Sequence, residues 1–328
     1  MPHTRKAALP LLATALAAAL AACSGQPEPA ATTAAPDAPQ AQVPAPAADT
    51  ANETFHAFSI GGLQATALRD GALAAPNDNS VFGVGLTPEQ VSEVLAAAGQ
   101  PTDALHVSVQ PLLVRAGGRV MLFDAGAGAM MGDKAGRLGA ALDAAGVSAA
   151  EVTDVFISHA HGDHVGGLVD GDGALAFPDA AVHITQPEWD DLQAQAGAAD
   201  AAPALAALVA AVAPKVRIFA ADAELVPGVV RSVPTAGHTP GHVSFRIQDQ
   251  GQALLYVADV MHHPVVSVQR PDWTVVFDRD ADAGRATRNR VLQQAADGGE
   301  RLYAVHFPFP GLGRIQRAAD GQLAWVAE

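Results

Sequence analysis

Within six consecutive residues, His159-Ala160-His161-Gly162-Asp163-His164, this 328-residue chain carries three imidazoles and a carboxylate. Residues 152–157 just before them form an apolar, β-branched run of strand length, which predicts a buried strand. The donors therefore leave from a strand end, where side chains converge on one point. Nitrogen and hard oxygen donors in this mixture suit zinc and related divalent ions.

Matching partners follow in order. Thr235-Ala236-Gly237-His238-Thr239-Pro240-Gly241-His242 comes after the apolar stretch 229–233, and Tyr256-Val257-Ala258-Asp259 ends a strand-like run from residue 253. Val305-His306-Phe307-Pro308-Phe309-Pro310 follows a segment that reads as helix and then short strand. Together His159, His161, Asp163, His164, His238, Asp259 and His306 make seven candidate ligands. That is too many for one tetrahedral zinc and suits two divalent ions sharing a carboxylate and a water.

The motifs HAHGDH, GHTPGH, the aspartate of Ala258-Asp259-Val260 and the late HFPFPG resemble the metallo-β-lactamase superfamily of hydrolases, from about residue 55 to the C-terminus. By that resemblance His159, His161 and His238 would hold one metal, Asp163, His164 and His306 the second, and Asp259 would bridge. The turn Asp124-Ala125-Gly126 looks like the superfamily's early DxG, with Asp124 a buried acceptor that orients a ligand. The implied fold is an α/β four-layer αβ/βα sandwich. The implied chemistry is hydrolysis by metal-activated hydroxide, for two divalent cations balanced against Asp163, Asp259 and a hydroxide leave a site charge of about +1.

Acyl-homoserine lactonases, similar in ligand pattern, carry a tyrosine three residues after the bridging aspartate. Here that position is His262, and the two tyrosines, Tyr256 and Tyr303, fall in segments that read as buried. An aspartate followed three residues on by histidine, with a late His-x-Pro-Phe-Pro-Gly, looks more like the methyl parathion hydrolase group. The expected substrates are neutral esters, phosphotriesters or lactones, activated leaving groups first. His262 assists the leaving group or lines the pocket; His263 and His242 are structural. Lactonase activity is the alternative. A zinc β-lactamase is disfavoured because antibiotic-cleaving members generally have Cys or Ser at the Asp259 position, and a glutathione thioesterase because basic residues for its carboxylate are missing. A non-enzymatic metal-binding lipoprotein would need an occluded site. Phe307, Phe309, Trp189 and Trp273 are the candidates for an apolar wall beside the metals.

Residues 1–22 read as a targeting segment, with Arg5 and Lys6 before an apolar run too short to be a convincing span. The ending Leu20-Ala21-Ala22-Cys23 resembles a bacterial lipoprotein signal, and Cys23 is the only cysteine, which excludes an internal disulfide. Lipidation of Cys23 would anchor the chain in the cell envelope, with Ser24 leaning towards the outer membrane. Residues 23–53, rich in Ala, Pro, Thr and Gln, have little to bury and are expected to form a disordered tether; residues 54–328 form one hydrolase domain. The formal charge of −15 has no basic cluster to relieve it. Nucleic-acid partners are thereby disfavoured and neutral small-molecule substrates favoured.

The periodicity of the body predicts strands on either side of Gly61-Gly62, a helix from Pro88 capped by Thr87, and a hairpin of 107–115 with 119–123. It also predicts helices at 138–145, 187–194, 200–212 and 281–296, the last with its arginines outward.

Overall fold

The computed structural model describes residues 54–328; the expected leader, Cys23 and the tether lie outside them. The first half of the body supplies strands β1 (Phe55–Ile60), β2 (Leu63–Leu68), β3 (Gly71–Pro76), β4 (Ala104–Val109), β5 (Leu112–Ala116), β6 (Arg119–Phe123), β7 (Asp154–Phe156), β8 (Ala181–Thr185) and β9 (Val216–Phe219). The second half supplies β10 (Glu224–Val226), β11 (Val230–Pro234), β12 (Val243–Asp249), β13 (Gln252–Tyr256), β14 (Arg301–Tyr303), β15 (Leu312–Arg317) and β16 (Leu323–Ala327). Seven strands form one sheet, in the order β1-β2-β5-β6-β7-β8-β9, and seven the other, β10 to β16 in sequence, while β3 and β4 make a separate ribbon. Strands β6 to β9 run parallel, as do β13 and β14.

The sheets bury a common core that includes Val114, Met121, Phe123, Phe156, Phe245, Leu254, Tyr256 and Tyr303. Strand β6 shows why its sequence is apolar throughout. Met121 and Phe123 face the other sheet, whereas Val120 and Leu122 face the helices outside. A strand covered on both faces cannot alternate with polar residues. The helices are α1 (Pro88–Ala97), α2 (Leu138–Ala144), α3 (Gly162–Val165), α4 (Gln186–Ala196), α5 (Pro203–Val212), α6 (Val266–Gln269) and α7 (Ala281–Gly298). Leu142, Leu192 and Leu208 of α2, α4 and α5 cover the first sheet, and Val291, Leu292 and Ala295 of α7 cover the second. The layers are thus helix, sheet, sheet, helix, the expected α/β sandwich. No helix among the described residues is long and apolar enough to cross a membrane.

Thr87 caps α1 through a capping box with Gln90, as its sequence predicts. Two expectations need correction. Residues 107–115 are not one strand: Gln110-Pro111 divides them, so β4 joins the ribbon with β3 and only β5 pairs with β6. A proline has no N–H for the ladder, which favours the break. The arginines of α7 are also not all outward, because Arg288 is only 1 % exposed.

Candidate metal centre

Each candidate ligand lies just past the carboxyl end of a strand, His159–His164 after β7, His238 after β11, Asp259 after β13 and His306 after β14, and so does the expected acceptor Asp124, after β6. Asp124 and Ala258 adopt left-handed backbone, φ 59° and 47°, at two of these exits. Such conformations cost free energy in non-glycine residues and concentrate at functional sites. The one at Ala258 turns the chain sharply just before Asp259.

Asp124 holds the first loop in place. Its Oδ1 accepts from the Ser158 N–H at 2.8 Å; Oδ2 accepts from Ser158 Oγ at 2.8 Å and from the Tyr256 hydroxyl at 2.7 Å, and lies 2.8 Å from His164 Nδ1. The expected buried acceptor is therefore present, and it reaches both sheets.

The seven expected ligands come together in two groups, His159, His161, His238 and Asp259 in one and Asp163, His164 and His306 in the other. Asp259 faces both. Its Oδ2 lies 3.3 Å from His238 Nε2, 3.7 Å from His159 Nε2 and 3.1 Å from His306 Nε2, and its Oδ1 lies 3.1 Å from His164 Nε2. Asp163 Oδ2 is 3.6 Å from both His164 Nε2 and His306 Nε2. Burial pushes the Asp259 carboxyl up, but His306, His164, His159 and His262 around it hold its pKa well below the usual carboxylate range.

The arrangement fits divalent cations on three counts. His161 Nδ1 lies 3.0 Å from His159 Nε2 and 2.9 Å from His238 Nε2, near the edge of about 3.3 Å expected of nitrogens about 2.0–2.1 Å from a tetrahedral zinc. Four imidazoles have their other nitrogen engaged: His159 with Ser158 Oγ, His164 with Asp124, His238 with Asp278 and His306 with the Ser108 carbonyl. That outer shell fixes ring orientation in metal sites. Finally, His164 Nε2 and Asp259 Oδ1 are buried and without a hydrogen-bond partner, a costly state that a cation between them relieves.

Several residues that build the site were not legible in the sequence. Glu188 of α4 is buried; its Oε2 accepts from Ala160 N at 2.9 Å and its Oε1 from Gly241 N at 2.6 Å, so one carboxylate joins the two histidine loops. Burial raises its pKa. Gln110 donates to the carbonyls of Ala304 and Phe307 on either side of His306. Asp278 and Arg288 stand behind His238. In each case the signal was a single polar residue inside an ordinary helix or loop, with no motif spacing.

His262 is buried, its ring stacks 5.5 Å from that of His306, and its Nε2 lies 3.1 Å from Asp259 Oδ2. It belongs to the site and not to a surface loop. His242 accepts from the Asp259 N–H at 3.1 Å, and burial brings its pKa down to about 3, so the ring is neutral and structural, as expected. His263 is buried beside Phe82 and turned away from the ligands, its Nδ1 near the N–H groups of Val265 and Val266.

The apolar wall differs from the expected one. Phe307 packs edge-on against Trp325, Trp189 of α4 points into the core, Trp273 joins the cluster around α1 and Phe309 lies under the Arg69 guanidinium. Phe82 and Phe277 flank His262 instead, with ring centroids 6.4 and 6.5 Å away. Val276 and Phe277 are about half exposed, at 50 % and 49 %. Met130 lies against Gly162 on the other side of the metal loop.

Residues 107–306 match the family model of the metallo-beta-lactamase superfamily. No curated protein matches the sequence. Among solved structures, AidC, a dizinc quorum-quenching lactonase determined with a homoserine product, is 30 % identical with a TM-score of 0.77, covering 84 % of this chain and 97 % of its own. The hydrolase AbOPH of the beta lactamase superfamily is 27 % identical with a TM-score of 0.75, again over 84 % and 97 %. A quorum-quenching N-acyl homoserine lactone lactonase shares the fold at 18 % identity and a TM-score of 0.55, over 78 % of this chain and all of its own.

Proposed function

The chain belongs to the metallo-beta-lactamase superfamily and is a metal-dependent hydrolase, and we propose that it opens neutral, apolar lactones and related carboxylic esters with two zinc ions. The observation that carries this reading is Asp259 between two groups of imidazoles, beside a rim of exposed apolar side chains. Similarity to the lactonase AidC supports lactones as the leading substrate class. A strongly anionic chain, at −15, favours a neutral substrate over a polyanion.

His159, His161 and His238 would hold one cation, Asp163, His164 and His306 the other, with Asp259 shared. Bound there, the cations supply Lewis-acid polarisation of the substrate carbonyl and a lowered pKa for water. The protein's own residues do the remaining work. Asp124, Ser158, Asp278 and the Ser108 carbonyl hold the imidazole rings at the angles the site needs. The carboxylates of Asp163 and Asp259 offset the cation charge. Phe277 and Val276 would offer an apolar surface to the acyl part and thin the water around the reacting carbon. Burial brings the His262 pKa down to about 4, so its ring is neutral; its Nε2, 3.1 Å from Asp259 Oδ2, would hydrogen-bond the departing oxygen.

A second reading, hydrolysis of aryl esters and phosphotriesters, is favoured by one observation. Tyr256 is occupied by Asp124 and Tyr303 donates to the Gln110 carbonyl, so neither tyrosine is placed to deliver a proton, and substrates with stabilised leaving groups need none. A zinc-loaded activity panel of an acyl lactone, a nitrophenyl ester, a nitrophenyl phosphotriester and a cephalosporin decides the matter. The lactone is expected to lead and the cephalosporin to stay intact; an opened cephalosporin with the other three untouched would overturn the proposal. Attachment to the cell envelope through lipidated Cys23 belongs to the same reading and is supported by the lipoprotein-like sequence around it.

A further inference from the structure

Behind His238 lies a buried ion pair that touches no ligand group directly except through that ring. Asp278 Oδ1 is 3.0 Å from His238 Nδ1, and Asp278 Oδ2 accepts from Arg288 Nη2 at 2.7 Å. Both side chains are nearly fully buried, at 2 % and 0 % exposure. The other guanidinium donors are committed as well: Nε to the Val260 carbonyl at 3.0 Å, and Nη1 to the Pro271 and Trp273 carbonyls at 3.0 and 3.2 Å. Arg288 thereby holds the residue after Asp259 and the segment that leads to Phe277.

The fit between α7 and the His238 loop is close enough to demand glycine on both sides. Gly237 has φ 135°, and a Cβ there would fall 2.4 Å from Gly284 N; a Cβ on Gly284 would fall 2.8 Å from the Asp278 carboxyl carbon. Asp280 N donates to the Gly237 carbonyl at 3.1 Å and Arg279 N to the His238 carbonyl at 2.9 Å.

A buried ion pair of this kind is a poor device for stability alone, since apolar replacements are often neutral or better. We infer that Arg288 and Asp278 are a positioning pair that sets the tautomer of His238, keeping the proton on Nδ1 and Nε2 free to ligate. The inference rests on the reading of His238 as a metal ligand. An ionised carboxylate is acceptor-only on both oxygens, and so it can face a guanidinium and an imidazole N–H at once. An amide cannot. With Arg288 present, an amide at position 278 must turn its oxygen to the guanidinium and its NH₂ to the ring, which moves the imidazole proton to Nε2 and blocks ligation.

This predicts non-additive behaviour that a merely structural staple would not show. Metal-free protein and its variants are titrated with Zn²⁺ by calorimetry and with Co²⁺ by visible absorption. Asp278→Asn is expected to weaken one of two metal equivalents by about 10–100-fold, the typical loss when a ligand's outer partner is removed, and to leave the other unchanged. Adding Arg288→Met to Asp278→Asn frees the amide to turn and is expected to restore most of that affinity, although it removes a second polar group. Equal or deeper loss in the double variant, or two wild-type affinities in Asp278→Asn, would overturn the inference. Nitrogen NMR of the His238 ring in metal-free protein reads the same point without metal or turnover. Read at alkaline pH, where the ring is neutral, the proton is expected on Nδ1 in the wild type and on Nε2 in Asp278→Asn, and an unchanged tautomer would overturn the inference even if every variant folded. A wild-type stoichiometry below two, with the tautomer switch intact, would instead sink the dinuclear reading and leave the positioning pair standing.

Discussion

The Tyr256 hydroxyl donates to Asp124 Oδ2 at 2.7 Å, and this single bond joins the end of β13 in one sheet to the end of β6 in the other. It accounts for a fully buried tyrosine in an apolar strand and removes that residue from any direct part in catalysis. Tyr256→Phe is expected to lower stability by about 1–3 kcal/mol, the usual loss when a buried partner goes, while metal content stays the same. Denaturant unfolding beside elemental analysis checks this; loss of a metal would mean that Asp124 depends on Tyr256 to orient His164.

Removing metal should cost more than activity. Five of the seven clustered side chains are buried and His161 and Asp163 are half-buried, so their mutual placement is costly without cations among them. Chelation is expected to lower the melting temperature as well as abolish turnover, and Zn²⁺ to restore both. Metal-replete protein should carry about two ions per chain. Asp259→Ala should lose one ion and most turnover; retention of two with full activity would refute the shared-carboxylate arrangement.

His262→Ala should separate substrates by leaving group. A lactone leaves as a basic alkoxide and gains most from the His262 hydrogen bond, so its kcat should fall by about 10–100-fold, the worth of a hydrogen bond to a charged group. A nitrophenyl ester leaves as a stabilised phenolate and should lose far less. If both fall equally, His262 serves to shape the pocket.

Asp154, remote from the metals, gives the protein an acid limit of a defined kind. Burial opposes its ionisation, yet hydrogen bonds from His183, Thr153 and Arg119 hold its pKa at about 2, against 3.8 for an ordinary aspartate. A depressed carboxyl stabilises the fold fully above the unfolded pKa and loses that contribution as pH falls towards the folded one. Asp154→Asn should therefore melt earlier than wild type at pH 7, and the gap should shrink between pH 4 and pH 2. A gap that persists unchanged in that window would place the effect elsewhere.

Cys23→Ser should move the protein from the membrane fraction to the soluble fraction of the envelope. An unaltered distribution would remove the lipid anchor from the proposal. Deleting the segment before residue 52 should leave turnover intact, since all seven ligands lie beyond it.

The ligands were legible because metal chemistry leaves few residue types available and strand ends concentrate them. His159, His161, Asp163 and His164 stand in one short loop, and His238, Asp259 and His306 each close an apolar run. The two sheets were legible for the same reason, since strands covered on both faces must be apolar throughout. What surrounds the ligands was not. Glu188, Gln110, Asp278 and Arg288 are single polar residues whose partners lie far along the chain, and nothing local distinguishes a buried arginine on α7 from its exposed neighbours. The break at Gln110-Pro111 had a local signal in the proline, which the strand-forming residues on both sides of it outweighed. The mouth was misread because Phe277 lies in a loop of no regular period, whereas the conspicuous Trp189 and Phe307 serve the core.

Each ligand group draws on both halves of the sandwich. One joins His159 and His161 from the loop after β7 to His238 and Asp259 from the second sheet; the other joins Asp163 and His164 to His306. Neither half holds a complete group by itself. Ions bound there would act as a clasp across the seam, and a parting of the halves would loosen both. Metal retention would then report on whether the seam is closed.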